Sequence, residues 1–188
     1  MKKHIILASN SPRRKELLAG LDLDFEVKVL PNVAENYPHN LPVVEVAGYI
    51  AQEKADVYKT LITEDDLVIT ADTVVVVDNK VLGKPKDADD ARRMLHLISG
   101  RRHQVVTGVC LLTSAGYRSF SVTTDVTFKQ LSDDEINYYI KHFKPFDKAG
   151  AYGIQEWIGY VGVTSINGSY FNVMGLPVQR IWEEIHKL

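Results

Sequence analysis

Cysteine is nearly missing from this chain: Cys110 is the one thiol in 188 residues. A single thiol closes no internal disulfide and builds no thiolate metal cluster. It lies in the apolar stretch 105–112, where a buried small hydrophobe is the expected role. Long apolar runs are missing too, since nothing approaches the length needed to span a bilayer. The opening residues 1–8 are basic and then briefly apolar. That run is too short for a secretory leader, and no small-residue cleavage signal follows it. Basic excess is also lacking. A formal net charge of -2 removes the broad electrostatic footprint of a nonspecific nucleic-acid binder, yet leaves room for a small anion in a local basic pocket. Internal repeats, low-complexity tracts and linkers are absent. A cytoplasmic enzyme or binding protein, with no membrane and no nucleic-acid partner, is the expectation that remains.

What is present is ordinary for a globular protein: 45% hydrophobic and 24% charged residues. The length fits one domain, or two closely merged lobes, with a sizeable core. Residues 4–8 predict a short buried strand. Ser11 then caps a helix with Pro12 at its first position, running to about Gly20. Residues 25–30 alternate as a strand, and 42–60 predict a longer helix. The β-branched run 67–77 predicts a buried strand that returns through Asp78-Asn79 to 80–82. Asp87 caps a helix ending near Ser99-Gly100. Residues 103–112 and 117–129 predict an antiparallel pair. Ser132 to Glu135 is a capping box for a helix stopping before Pro145. Residues 147–154 predict a glycine-containing loop, 157–166 a strand turned by Asn167-Gly168, and 177–186 a last helix. Strands alternate with helices but two hairpins interrupt them, which predicts an α/β fold around a mixed sheet.

Three places put charge where an apolar chain resists it. At Ser9-Asn10-Ser11-Pro12-Arg13-Arg14 a strand leads into a polar turn and a helix N-terminus, with N–H groups, hydroxyls and guanidinium groups suited to phosphate oxygens. A capped surface helix with two solvated arginines is the alternative. Lys54 falls within an apolar stripe of Val43, Ala47, Ile50, Val57 and Tyr58. It must either snorkel outward or meet a buried anion. Asp72 interrupts an apolar run, and a carboxylate there needs a metal, a cation or hydrogen bonds. The Asp-Thr pair suggests a bulge or pocket wall, and the role is either catalytic or structural. Lys84, in Leu82-Gly83-Lys84-Pro85, suits either a turn or a phosphate. The loop 147–155 ends on Gln155, whose amide donates and accepts together, as base recognition requires. The histidines have no metal-ligand spacing, and His96, His142 and His186 read as surface residues.

These segments together resemble the Maf family, nucleoside triphosphate pyrophosphatases related in fold to the inosine triphosphatases. The matching motifs are ILASNSPRRKELL at 6–18, ADTVV at 71–75, LGKP at 82–85, LISGR at 97–101, DKAGAYGIQ at 147–155 and VMGLP at 173–177. They stand in family order and cover nearly the whole chain. The resemblance implies a single domain over 1–188, with a mixed twisted β-sheet flanked by helices and a cleft between two lobes. It implies that Asp72 is the proton acceptor, and that Ser9, Arg13, Arg14, Lys54 and Lys84 have phosphate or catalytic roles. Glu35 is implied as a further acidic contributor. Arg13, Thr73 and Gln155 match the branch acting on dTTP and UTP, whereas the 7-methyl-GTP branch departs at all three. A homodimer is implied as well.

The expected reaction is metal-assisted attack of water on the α-phosphorus, giving monophosphate and pyrophosphate. A Mg²⁺ or Mn²⁺ ion would take oxygen ligands from phosphate, water and carboxylates such as Asp72 and Glu35. Two other readings compete. An inosine or xanthosine triphosphatase would share the chemistry. A nucleotide-binding regulator of cell division, the idea behind the older septum-formation description, would bind without turnover.

Overall fold

The computed structural model describes residues 3–31 and 35–188. Its strands are β1 (His4–Leu7), β2 (Phe25–Val27), β3 (Asp66–Val77), β4 (Lys80–Leu82), β5 (Arg102–Thr113), β6 (Gly116–Phe128) and β7 (Val163–Asn167). Its helices are α1 (Pro12–Ala19), α2 (Val46–Asp56), α3 (Ala88–Ile98), α4 (Asp133–Phe143), α5 (Trp157–Gly162), α6 (Tyr170–Met174) and α7 (Val178–Ile185), with a 3-10 turn at Ala149–Ala151. The strands form a seven-stranded mixed sheet of order β2-β1-β3-β5-β6-β7, with β4 paired to β3. The α/β expectation holds. No helix of the described residues is long and apolar enough to cross a membrane.

The chain divides into two compact units, and the dividing point in β3 falls between Asp72 and Thr73. The first unit comprises Met1–Asp72, Thr107–Val122 and Gly175–Leu188. Its organising strand is β1, parallel to both neighbours, with Ile5 opposite Phe25 and Ile6 opposite Val68. Parallel strands need crossovers, and the capped helix α1 supplies the one to β2. Ser11 accepts from the Arg14 N–H with Pro12 at the helix start, as the sequence predicts. On α2, Ala51 and Ala55 pack with Ile6, Val68 and Cys110 in one apolar cluster. Cys110 is therefore a buried hydrophobe.

The second unit comprises Thr73–Val106 and Thr123–Met174. Asp78 and Asn79 take positive φ values of 50° and 56°. A two-residue turn of that hand matches strand twist and sets β4 antiparallel to β3. Asp87 caps α3 through the Asp90 N–H, and Ser132 and Glu135 complete both halves of the capping box on α4. These helices bury Leu95, Ile98, Ile136 and Tyr139 in one core with Val75, Phe128 and Ile158.

Three expectations need correction. The helix predicted over 42–60 is only Val46–Asp56, and Val57, placed on the buried stripe, is exposed. The buried face is Val46, Ala47, Ile50, Ala51 and Ala55. The strand predicted over 25–30 ends at Val27. β3 runs as strand through Asp72 and Thr73, where its otherwise buried pattern opens. The strand predicted over 157–166 is instead helix α5 followed by β7. The physical reason is packing: Ile158 is fully buried in the core of the second unit, with Gly159 so close to Ile154 that a Cβ would lie 1.7 Å from its carbonyl oxygen. Tertiary packing, not propensity, winds that turn.

Candidate active site

The first unit gathers most of the predicted charges around one ammonium. Lys54, near the end of α2, sends Nζ to Asp72 Oδ1 at 2.8 Å and to Glu35 Oε1 at 2.8 Å. The Lys54 and Asp72 side chains are only 15% and 14% exposed, whereas Glu35 is half exposed. The lysine therefore meets an anion rather than snorkelling to water, which decides the choice the sequence leaves open. Asp72 has no cost of an isolated buried charge, because its partner sits at contact distance.

Arg14 belongs to the same group. Its Nε donates to Gly175 O at 2.8 Å and its Nη1 to Ala71 O at 2.8 Å. Burial pulls the guanidinium below its ordinary value, while the charges of Asp72 and Glu35 work against that and Arg13 adds to it. Arg14 thus ties the residue before Asp72 to the glycine of the 173–177 motif. Ser9 is buried, and its Oγ accepts from the Ser11 N–H at 3.2 Å. At the head of α1, Pro12 has no N–H, and Ser11 Oγ takes that of Arg14 at 3.4 Å. Fewer backbone donors are left for an anion than the helix start suggested. The capacity rests more on the side chains of Arg13, Arg14 and the serines.

The second unit holds Thr73, Lys84 and Gln155. Lys84 is exposed, beside Gly83, whose carbonyl accepts from the Gly150 N–H at 3.0 Å. A Cβ on Gly83 would meet nothing within 4 Å, so the protein itself does not require glycine there. Gln155 has a buried Oε1 with no hydrogen-bond partner among the described residues. An amide oxygen kept from water without a donor is costly, by about 1–3 kcal/mol. Such an atom calls for an explanation, and a ligand donor is one.

Sequence reasoning passed over Tyr139, Lys148 and Glu156, which surround Gln155. The signal that could have found them is a lysine and an acid flanking a glycine-rich loop, each too costly to bury unless paired. His96, His142 and His186 are exposed, as expected. Among the described residues no group of three or more His, Cys, Asp or Glu side chains is placed to hold a metal ion. A cavity of about 630 Å³ in the first unit is lined by Asp24, Glu64 and Asp65 and by none of the predicted residues.

A family model described as Maf-like protein matches residues 4–188. The chain is similar to the dTTP/UTP pyrophosphatase of Phocaeicola vulgatus, at 60% identity over 187 residues, covering 100% of this chain and 97% of that protein. It is similar to the dTTP/UTP pyrophosphatase of Bacteroides thetaiotaomicron, at 54% identity with coverage of 100% and 97%. Among solved structures, the nucleoside-triphosphatase / dITP/XTP pyrophosphatase from Mycobacterium abscessus overlaps 97% of this chain and 93% of its own, at 14% identity and a TM-score of 0.43. That last overlap is too loose to argue from.

Proposed function

We infer, since the chain belongs to the Maf family, that it is a hydrolase cutting dTTP and UTP to the monophosphate and pyrophosphate. The observation that carries the chemistry is the pairing of Lys54 with both Asp72 and Glu35. The ammonium holds one oxygen of Asp72, which leaves the other to take a proton from an attacking water. Arg13, Arg14 and Lys84, with Ser9, would neutralise the phosphates and ease the departure of pyrophosphate. Lys54, already between two carboxylates, would add its positive charge where the phosphates arrive.

Two carboxylates converging on one cation also fit a divalent ion. A Mg²⁺ or Mn²⁺ bound mainly through substrate phosphates needs only one or two protein carboxylates. Asp72 and Glu35 are the residues that would hold it, and it would lower the pKa of a bound water and offset phosphate charge.

The base is the business of Gln155. Thymine and uracil present an N3–H donor flanked by carbonyl acceptors. A glutamine whose Oε1 has no donor can accept from that N3–H while its Nε2 donates to a carbonyl. Cytosine offers an acceptor at N3 and mismatches the same oxygen. Arg13 and Thr73 complete the assignment on the family resemblance. A homodimer working in the cytoplasm is part of the same proposal, and sedimentation would test the dimer.

The test is pyrophosphate release from dTTP, UTP, CTP, ITP, GTP and 7-methyl-GTP with Mg²⁺ and with Mn²⁺. Preference for dTTP and UTP is expected, with the monophosphate as co-product. Preference for ITP or 7-methyl-GTP would discard the base assignment and keep the catalytic one. Nucleotide binding with no release would overturn the hydrolase reading in favour of a regulator.

A further inference from the structure

We propose that Tyr139, Glu156 and Lys148 form a hydrogen-bonded brace that holds the Gln155 amide in place and thereby sets nucleotide preference. They are positioning residues, and the proposal rests on the reading of Gln155 as the residue that meets the base.

The brace is continuous. The Tyr139 hydroxyl accepts from the Gly153 N–H at 2.9 Å and donates to Glu156 Oε2. Glu156 Oε1 receives Lys148 Nζ at 3.0 Å, and the same ammonium reaches Asp147 Oδ1 at 2.8 Å. The segment from Asp147 to Glu156 is thus tied at both ends and in its middle, with Gln155 next to one tie. Tyr139 is fully buried on α4, stacked on Phe143 with centroids 5.3 Å apart. Burial, followed by the bond to Glu156, pushes its hydroxyl pKa up, so it stays a donor. The anchor is a capped helix, not another loop.

The wall beneath the amide is equally specific. A Cβ on Gly153 would lie 2.9 Å from Lys148 Cε and 3.1 Å from Gln155 Nε2. The lysine stem and the glutamine amide therefore share the space over one glycine. Lys148 is only 9% exposed, which is unusual for a lysine and follows from its two carboxylate partners. A free glutamine would turn its oxygen to water. Here Oε1 remains buried without a donor, which persists only where the surroundings over-determine the conformation.

The experiment is a double-mutant cycle read as the ratio of kcat/KM for UTP to that for CTP. Tyr139→Phe removes the hydroxyl and keeps the ring. It is expected to lower the ratio roughly tenfold, with CTP turnover little changed and a lower melting temperature, since the Gly153 N–H and Glu156 lose a buried partner. In a Gln155→Ala background, Tyr139→Phe should leave the ratio where Gln155→Ala put it. An equal loss for all nucleotides on Tyr139→Phe would overturn the brace as a selectivity device. So would a further equal fall in the ratio on the Gln155→Ala background. A ratio unmoved by Gln155→Ala alone overturns the base-recognition reading instead, and the brace with it. Should Tyr139→Phe fail to fold, Glu156→Gln, which keeps the size and loses the charge that holds Lys148, is expected to shift the ratio in the same direction.

Discussion

The charged cluster of the first unit and the loop of the second handle polarity in opposite ways. Around Lys54 the charges are mutually satisfied: the ammonium meets Asp72 and Glu35, and Arg14 is clamped on two carbonyls. Around Gln155 the partners are satisfied and the central amide oxygen is not. A self-neutralised cluster suits a substrate that brings charge of its own and rearranges the pairing. A rigidly held, unsatisfied acceptor suits a neutral donor of fixed position. Chemistry and selectivity should therefore separate in mutants, with the Lys54 cluster affecting all nucleotides and the Gln155 loop redistributing rates among them.

The largest expected break is Asp72→Asn. Loss of the proton acceptor should cut kcat for every nucleotide by roughly a thousandfold, within the range of general-base contributions, while circular dichroism stays native. Near-normal turnover in the folded variant would remove Asp72 from catalysis.

Next is an acid test of the second unit. His103 is buried between Phe128 and Tyr152, with Nε2 2.6 Å from the Tyr152 hydroxyl, and burial lowers its pKa from 6.5 to about 4. The folded state resists protonation that the unfolded chain accepts. Its stabilising contribution is thus complete above pH 6.5 and lost as pH falls through 4. On the order of 3 kcal/mol should vanish across that window. Urea melts of the parent and of His103→Gln would show it as a pH slope that the variant lacks; equal slopes would refute it.

Gln155→Glu sharpens the contrast more gently. It keeps the acceptor, replaces the amide donor and adds charge, so kcat/KM for dTTP and UTP should drop roughly tenfold relative to the other nucleotides. Unchanged relative rates would free Gln155 from base recognition. The smallest effect belongs to Ser11→Ala, which removes the α1 cap. About 1 kcal/mol of stability should go, visible as a lower melting temperature with nucleotide preference intact.

The sequence was legible where physics is local. Ser11-Pro12, Asp87 and Ser132 with Glu135 announce helix starts through one side chain and one N–H three residues on. Asp78-Asn79 announces a turn through the φ values those residues tolerate. Asp72 and Lys54 stood out because an apolar surround makes a lone charge expensive, so each needed a partner. That they are each other's partner, with Glu35 as the third, is a contact across 18 residues of chain that no local pattern encodes.

Other features belonged to tertiary structure alone. The segment from Trp157 to Ile166 has strand-like composition, and its first half is helical with Ile158 buried in the core of the second unit. Tyr139 looks like any core aromatic until its hydroxyl is seen between Gly153 and Glu156. Sequence by itself determined the capped elements, the α/β class and the identity of the charged residues, since these follow from neighbours within a few positions. Which charges cancel, and whether the Gln155 oxygen finds a donor, was decided only when the chain brought distant residues within hydrogen-bonding distance, because electrostatic energy depends on separation in space and not along the chain.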